Sequence, residues 1–267
     1  QYVLDFSRKE VVEYIYEMMA KILSEAKVSY IKWDMNRSIT ECYSVALPAD
    51  RQGEVFHRYI LGVYDLYERL TSEFPEVLFE SCSSGGGRFD PGMLYYAPQG
   101  WTSDDSDAIE RLKIQYGTSL CYPISSMGSH VSVIPNHQVF RKTPLHTRAN
   151  VAYFGTFGYE LDLNSLKEEE IAEVKEQIIF MKKYRKLFQF GDFYRLKSPF
   201  EGNETIWMVV SEDKKTAIVG YYRTLNGVNQ AYSRIKLQGL DPDMLYENIL
   251  NKTENYGDEL MNFGLIT

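Results

Sequence analysis

The 267-residue chain is long enough to bury one large core with a smaller companion, and 44% of it is hydrophobic. Its 37 acidic and 29 basic side chains leave a formal charge of -8, scattered without long like-charge runs, so it offers no basic face to nucleic-acid phosphates. No apolar stretch approaches the roughly 20 residues of a membrane-spanning helix, and Cys42, Cys82 and Cys121 lack the spacing of a zinc site or disulfide scaffold, which fits a soluble protein of a reducing, cytoplasmic compartment.

The chain opens Gln-Tyr-Val-Leu-Asp, with neither an initiator Met nor a signal-peptide pattern, and reads as a piece of a longer protein. Val11, Val12, Ile15, Met18, Met19 and Ile22 recur close to helical spacing and predict a helix over residues 9–27, with Ser7 and Glu10 as its capping box. The β-prone run Val28-Ser-Tyr-Ile-Lys-Trp-Asp34 then breaks into polar residues, as a buried strand does where it delivers side chains to a loop. The order repeats: Val55, Tyr59, Ile60, Val63, Leu66, Tyr67 and Leu70 predict a helix over 53–72, and Val77-Leu-Phe-Glu-Ser-Cys82 a strand that runs into a glycine-rich loop. Gly100-Trp-Thr-Ser103 predicts a brief strand ending in acids, and residues 107–117 a helix. Strand, loop and helix alternating at this spacing imply parallel strands with right-handed crossovers, hence an α/β layered fold or a barrel with its chemistry at the carboxyl ends of the strands.

A charged helix over residues 165–188 closes this part, with Glu168, Glu169 and Glu170 early and Lys182, Lys183, Arg185 and Lys186 late, as its dipole prefers. From Gly191 the period changes to two. Thr205–Val210, Thr216–Tyr222 and Ser233–Leu237 predict short strands separated by turn-rich segments, which makes residues 1–190 an α/β domain and 191–267 an antiparallel β-domain.

Among residues able to do chemistry, Asp34 follows an apolar strand, flanked on its own side by Lys32 and Asn36. An ammonium and an amide donor would keep it ionised, as a nucleophile requires, although a strand-end acid can equally cap a helix or make an ion pair. Asp104 lies at another strand end beside Asp105 and Asp107. Crowded carboxylates suit one of them to donating a proton, and acids in the first turn of a helix suit its dipole as well. Two carboxylates at neighbouring strand ends are the equipment of glycoside hydrolysis, where a separation of about 5–5.5 Å goes with retention of configuration.

The run Ser81-Cys-Ser-Ser-Gly-Gly-Gly-Arg-Phe-Asp90 is a loop whose backbone can approach a ligand closely, without the Gly-Lys-Ser/Thr of a nucleotide-binding loop. Arg88 either binds substrate or braces the loop through Asp90, and Trp101 either stacks on a sugar or belongs to the core. His57, His130, His137 and His146 have no metal-ligand spacing, and no Gly-x-Ser-x-Gly elbow of a serine hydrolase is present.

Three of these segments resemble the motifs of glycoside hydrolase family 36, the microbial α-galactosidases: Lys32-Trp-Asp-Met-Asn-Arg37, Cys82-Ser-Ser-Gly-Gly-Gly-Arg-Phe-Asp90 and Trp101-Thr-Ser-Asp-Asp-Ser-Asp107. The order and spacing agree, and the similarity continues through Phe157-Gly-Tyr-Glu-Leu-Asp162. The resemblance implies that Asp34 forms the galactosyl-enzyme and that Asp104 is the acid/base. It further implies that Lys32 and Asn36 hydrogen-bond galactose, and that Cys82, Gly85 and Trp101 line the sugar subsite.

The fold it implies is a partial (β/α)8 barrel, from about the fourth strand to the eighth, followed by a C-terminal antiparallel β-sandwich. The reaction would release terminal α-galactose from melibiose or raffinose-type oligosaccharides without a cofactor. The expected partners are that α-galactoside, the missing N-terminal part of the same protein, and other copies in a homo-oligomer. Galactosyl transfer on the same site, or sugar binding without catalysis, are the alternative activities.

Overall fold

The structure, a computed structural model, describes residues 3–229 and 232–266 and separates into two compact units, Gln1–Asp104 and Asp105–Thr267. In the first, α1 (Lys9–Glu25), β1 (Tyr30–Asp34), α2 (Val55–Glu73), β2 (Leu78–Cys82), α3 (Pro91–Tyr96) and β3 (Gln99–Gly100) alternate; the sequence predicts all of these but α3, with β3 placed slightly later, at 100–103. β1, β2 and β3 form a parallel sheet in that order, with Asp34 opposite Cys82 and Ser81 opposite Gly100. The helix periodicity explains the layer against it. Tyr59, Val63, Leu66, Tyr67 and Leu70 of α2 are buried with Val12 and Leu23 of α1 and Phe79 of β2, and Ile31 and Trp33 pack on this cluster. Each such side chain contributes roughly 1.5–3 kcal/mol.

The capping box expected from Ser7 and Glu10 does not form. Arg8 takes the N-cap position, Ser7 turns to Asp5 and Ser44, and Glu10 pairs with Arg8 instead. α3 was not predicted, although Asp90 caps it by accepting from the Met93 amide at 2.9 Å and Pro91 sits in its first turn.

The second unit continues with α4 (Ala108–Thr118), β4 (Gly128–Ser132), α5 (Leu145–Ala152), β5 (Thr156–Glu160) and α6 (Glu168–Phe190). β4 and β5 are parallel, a pair the sequence reading missed because Gly128-Ser-His-Val-Ser132 carries one apolar side chain in five. Phe157 stacks on Tyr153, itself against Phe180 of α6, with ring centroids 5.1 and 4.7 Å apart.

Beyond α6 the structure turns antiparallel. β6 (Asp192–Lys197), β7 (Glu204–Val210) and β8 (Ala217–Arg223) form a sheet in that order; after it come β9 (Arg234–Ile235), β10 (Leu245–Glu247), β11 (Glu254–Tyr256), helix α7 (Gly257–Asn262) and β12 (Leu265–Ile266), with β10 paired to β11 and β9 to β12 in separate two-stranded sheets. β7 is buried on both faces. Ile206, Met208 and Val210 join Ile235, Leu237 and Leu260, while Trp207 packs on Phe154, Phe193 and Tyr222. Parallel β/α units followed by a sheet-rich part are the coarse architecture that the sequence predicts. Among the described residues, no helix is long and apolar enough to cross a membrane.

One end of this sheet, where β6 finishes and β7 begins, carries a pH-sensitive cluster. Lys197 Nζ donates to Glu204 at 2.5 Å, the Tyr221 hydroxyl at 2.7 Å and Arg223 Nη2 at 2.8 Å, and these donors hold the Glu204 carboxyl down to about 2. An unfolded glutamate titrates near 4.3, so the cluster's stabilisation is complete above about pH 5 and is lost as pH falls towards 2. Thermal melts should show Glu204→Gln less stable than wild type near pH 7, with the gap closing as the buffer is acidified. A gap that stays constant down to pH 2.5 would count against this assignment.

Candidate active site

Strand register gathers the predicted site residues on one face of the first unit's sheet. Along β1, Ile31 and Trp33 point into the helix layer, so Tyr30, Lys32 and Asp34 point to the other side. Pairing of Lys32 with Glu80, Asp34 with Cys82 and Glu80 with Gln99 puts those residues on that same face, and continued alternation adds Trp101. Trp101 is tied in by its amide, which donates to the Ser81 carbonyl at 2.9 Å. The face is layered: Tyr30, Glu80 and Gln99 at the bottom, Lys32 above them, and Asp34 with Cys82 at the carboxyl ends.

Asp34 is exposed, and Asn36 Nδ2 donates to its Oδ2 at 2.7 Å. The Asn36 amide oxygen also accepts from the Ser84 backbone at 2.7 Å, so one side chain couples the end of β1 to the loop after β2. Cys82 is buried beside Asp34. Burial and the neighbouring carboxylate push its thiol up to about 11, against the Gly85 backbone, which favours the thiolate. Cys82 is therefore protonated at neutral pH and a poor nucleophile. Timed alkylation of the native protein with iodoacetamide at pH 7.5, read by peptide mass spectrometry, should modify exposed Cys121 first and Cys82 last. Early modification of Cys82 would contradict its burial beside Asp34.

The glycines of the loop after β2 also make room for protein backbone. Gly85 adopts φ +79°, and a Cβ there would lie 2.7 Å from Ser103 Cα and 2.9 Å from the Asp104 amide nitrogen. A Cβ on Gly86 would meet the Thr102 carbonyl at 2.8 Å. The missing side chains make room for the Thr102–Asp104 backbone, and so seat Asp104 next to the loop that Asn36 ties to Asp34. Arg88 does brace this loop, but through the Met35 carbonyl and the Ser83 hydroxyl rather than Asp90, which caps α3.

Asp104 is exposed. Of the acids beside it, Asp107 is buried, caps α4 through the Ile109 and Glu110 amides at 3.0 and 3.1 Å, and pairs with Arg141. Trp101 is 4% exposed, with the Lys32 ammonium 4.8 Å over its ring, so it lies under the site rather than forming an open stacking plate. In the second unit, a cavity of about 410 Å³ between β5 and α6 is lined by Lys182, Arg185 and aromatic rings and includes no carboxylate. It lacks the acids that glycoside hydrolysis needs. Sequence reasoning missed Tyr30, Glu80 and Gln99; the signal for Glu80 and Gln99 was a polar side chain placed within a buried strand.

Known proteins share both the sequence and the fold. The melibiase family model matches residues 1–191, and the glycosyl hydrolase family 36 C-terminal domain matches residues 204–267. The alpha-galactosidase AgaA of Geobacillus stearothermophilus is 56% identical over 265 residues, covering 99% of this chain and 36% of AgaA. Its crystal structure superposes with a TM-score of 0.96 over 99% of this chain and 37% of that one. The crystal structure of the alpha-galactosidase from Lactobacillus brevis gives 0.98 at 54% identity, over all of this chain and 36% of that one. The chain belongs to the melibiase family, the glycosyl hydrolases of family 36. It spans about a third of the length of the curated relatives it matches.

Proposed function

We propose that the protein carrying this chain is a retaining α-galactosidase that releases terminal α-linked galactose from melibiose or raffinose-type oligosaccharides. The observation that carries this reading is the joining of β1 to the Asp104 segment: Asn36 holds both Asp34 and the Ser84 backbone, and Gly85 of that loop packs on Ser103 and Asp104. Two carboxylates on one loop cluster at the carboxyl ends of parallel strands can flank a glycosidic bond. Relatives lend support. AgaA variants were crystallised with raffinose and with stachyose. The altered aspartates that distinguish these two variants are separated by the same number of positions as Asp34 and Asp104.

In this mechanism Asp34 attacks the anomeric carbon while protonated Asp104 donates to the leaving oxygen. The ionised Asp104 then takes a proton from the water that displaces Asp34. Lys32 and Asn36 meet galactose hydroxyls beside Asp34, and the Cys82 thiol, the Gly85 backbone and Trp101 line the subsite, Trp101 from beneath Lys32. No step calls for a metal or an organic cofactor. β1 to β5 are the fourth to eighth strands of a barrel whose first strands come from the preceding part of the protein. The domain boundary falls at 190/191, in keeping with the two family matches. Three free thiols suit a reducing cytoplasm.

The test is stereochemical. Proton NMR of the full-length protein acting on 4-nitrophenyl α-galactoside should show α-galactose as the first product, with the β-anomer appearing only by mutarotation. First appearance of the β-anomer would overturn the double displacement, and absence of galactose release would overturn the activity.

A further inference from the structure

Beneath Asp34 lies a carboxylate that the mechanism does not use. Glu80 is 1% exposed, in the middle of β2, on the face it shares with Lys32 and Cys82. One of its oxygens accepts from the Tyr30 hydroxyl and from Gln99 Nε2, the latter at 2.7 Å, and Gln99 Nε2 also lies 3.2 Å from the Tyr30 hydroxyl. Its other oxygen is 3.8 Å from Lys32 Nζ, which at the same time sits 4.8 Å over the Trp101 ring. A buried carboxylate is costly unless it is paired and hydrogen-bonded. Here three neighbouring side chains converge on it, one of them cationic.

The consequence concerns Lys32. On β1 it stands two residues before Asp34, on the same face and so about 6–7 Å away along the strand. A lysine stem is flexible, and its ammonium is a point charge able to turn towards either carboxylate. A cation nearby keeps Asp34 ionised, but an ammonium turned fully to it would pair with the attacking oxygen and lower its nucleophilicity. Held between Glu80 and the Trp101 ring, it remains below Asp34, where it can donate to a sugar hydroxyl.

Building on the proposed α-galactosidase reading, we propose that Glu80 is a positioning residue: its buried carboxylate, fixed by Tyr30 and Gln99, holds the Lys32 ammonium against Trp101 and away from Asp34. Glu80 acts through Lys32 and touches no substrate. The arrangement separates two opposite charges that would otherwise neutralise each other, leaving one to attack and one to bind.

A double-mutant cycle in the full-length protein tests this, because a residue that acts through another loses its effect when that other is gone. Hydrolysis of 4-nitrophenyl α-galactoside is measured for wild type, Glu80→Gln, Lys32→Met and the double variant. Glu80→Gln keeps the side-chain shape and should lower kcat/KM roughly 10- to 100-fold, the scale of a misplaced site group. Both kcat and KM should change, because Lys32 now engages Asp34 as well as failing to bind sugar. Glu80→Asp should recover part of the loss. In the Lys32→Met background, Glu80→Gln should cost less than about twofold. An equal cost with and without Lys32, or wild-type activity of Glu80→Gln, would overturn the proposal. If Glu80→Gln does not fold, Tyr30→Phe withdraws one of the groups that fix Glu80 and should give a smaller loss with the same dependence on Lys32. Asp34→Ala is assayed alongside: activity surviving in it defeats the reading of the site itself, whereas an additive cycle with Asp34→Ala inactive defeats only the role of Glu80.

Discussion

Replacing Asp34 by alanine in the full-length protein is expected to lower kcat on 4-nitrophenyl α-galactoside by on the order of 10⁴- to 10⁶-fold, the loss seen when an enzyme's covalent nucleophile is removed. At about 1.4 kcal/mol per tenfold, that is roughly 5.5–8 kcal/mol of transition-state stabilisation. The fold should survive. Asp34 is exposed at the end of β1, and the pairing of β1 with β2, including the Met35 amide on the Cys82 carbonyl at 3.0 Å, does not involve its side chain. Truncation also opens space beside the anomeric carbon, where azide can enter in place of the carboxylate. Because azide would arrive from the face that Asp34 occupied, the rescued product should be β-galactosyl azide, identified by NMR. A folded Asp34→Ala protein that keeps more than a hundredth of wild-type activity would remove Asp34 from the mechanism.

The placement of Asp34 was legible because strand alternation is a local property. Lys32, Asp34 and Asn36 on one side and Ile31 and Trp33 on the other follow from a period of two. The link from Asn36 to Ser84 was not legible, since it joins residues 48 positions apart and depends on register. For the same reason the packing partner of the glycines was not legible. A sequence shows that Gly85 and Gly86 lack side chains but not which neighbour occupies the space, here the backbone of Thr102, Ser103 and Asp104. Tyr30, Glu80 and Gln99 went unremarked because each meets its partners only across strands. β4 was missed because Arg111 and Arg148 serve its carbonyls, at Gly128 and Ser132, from outside the strand, so its own side chains need not be apolar.

Asp104→Ala should separate substrates by their leaving groups, which no structural defect would do. With raffinose the departing sugar oxygen must be protonated as the bond breaks, and loss of the general acid should cost about 10²- to 10⁴-fold in kcat/KM. With 4-nitrophenyl α-galactoside the leaving phenolate is stable without a proton, so formation of the galactosyl-enzyme should be nearly spared, and its slow hydrolysis should appear as a burst of 4-nitrophenol. Azide needs no general base. It should speed turnover and yield α-galactosyl azide, the opposite anomer from that expected for Asp34→Ala. The seat of Asp104 predicts a companion result: Gly85→Ala, which places a Cβ 2.7 Å from Ser103 Cα, should shift the acid and impair raffinose more than the aryl galactoside. If Asp104→Ala slowed both substrates equally, Asp104 would be a binding group, and another acid on the same face would have to protonate the leaving oxygen.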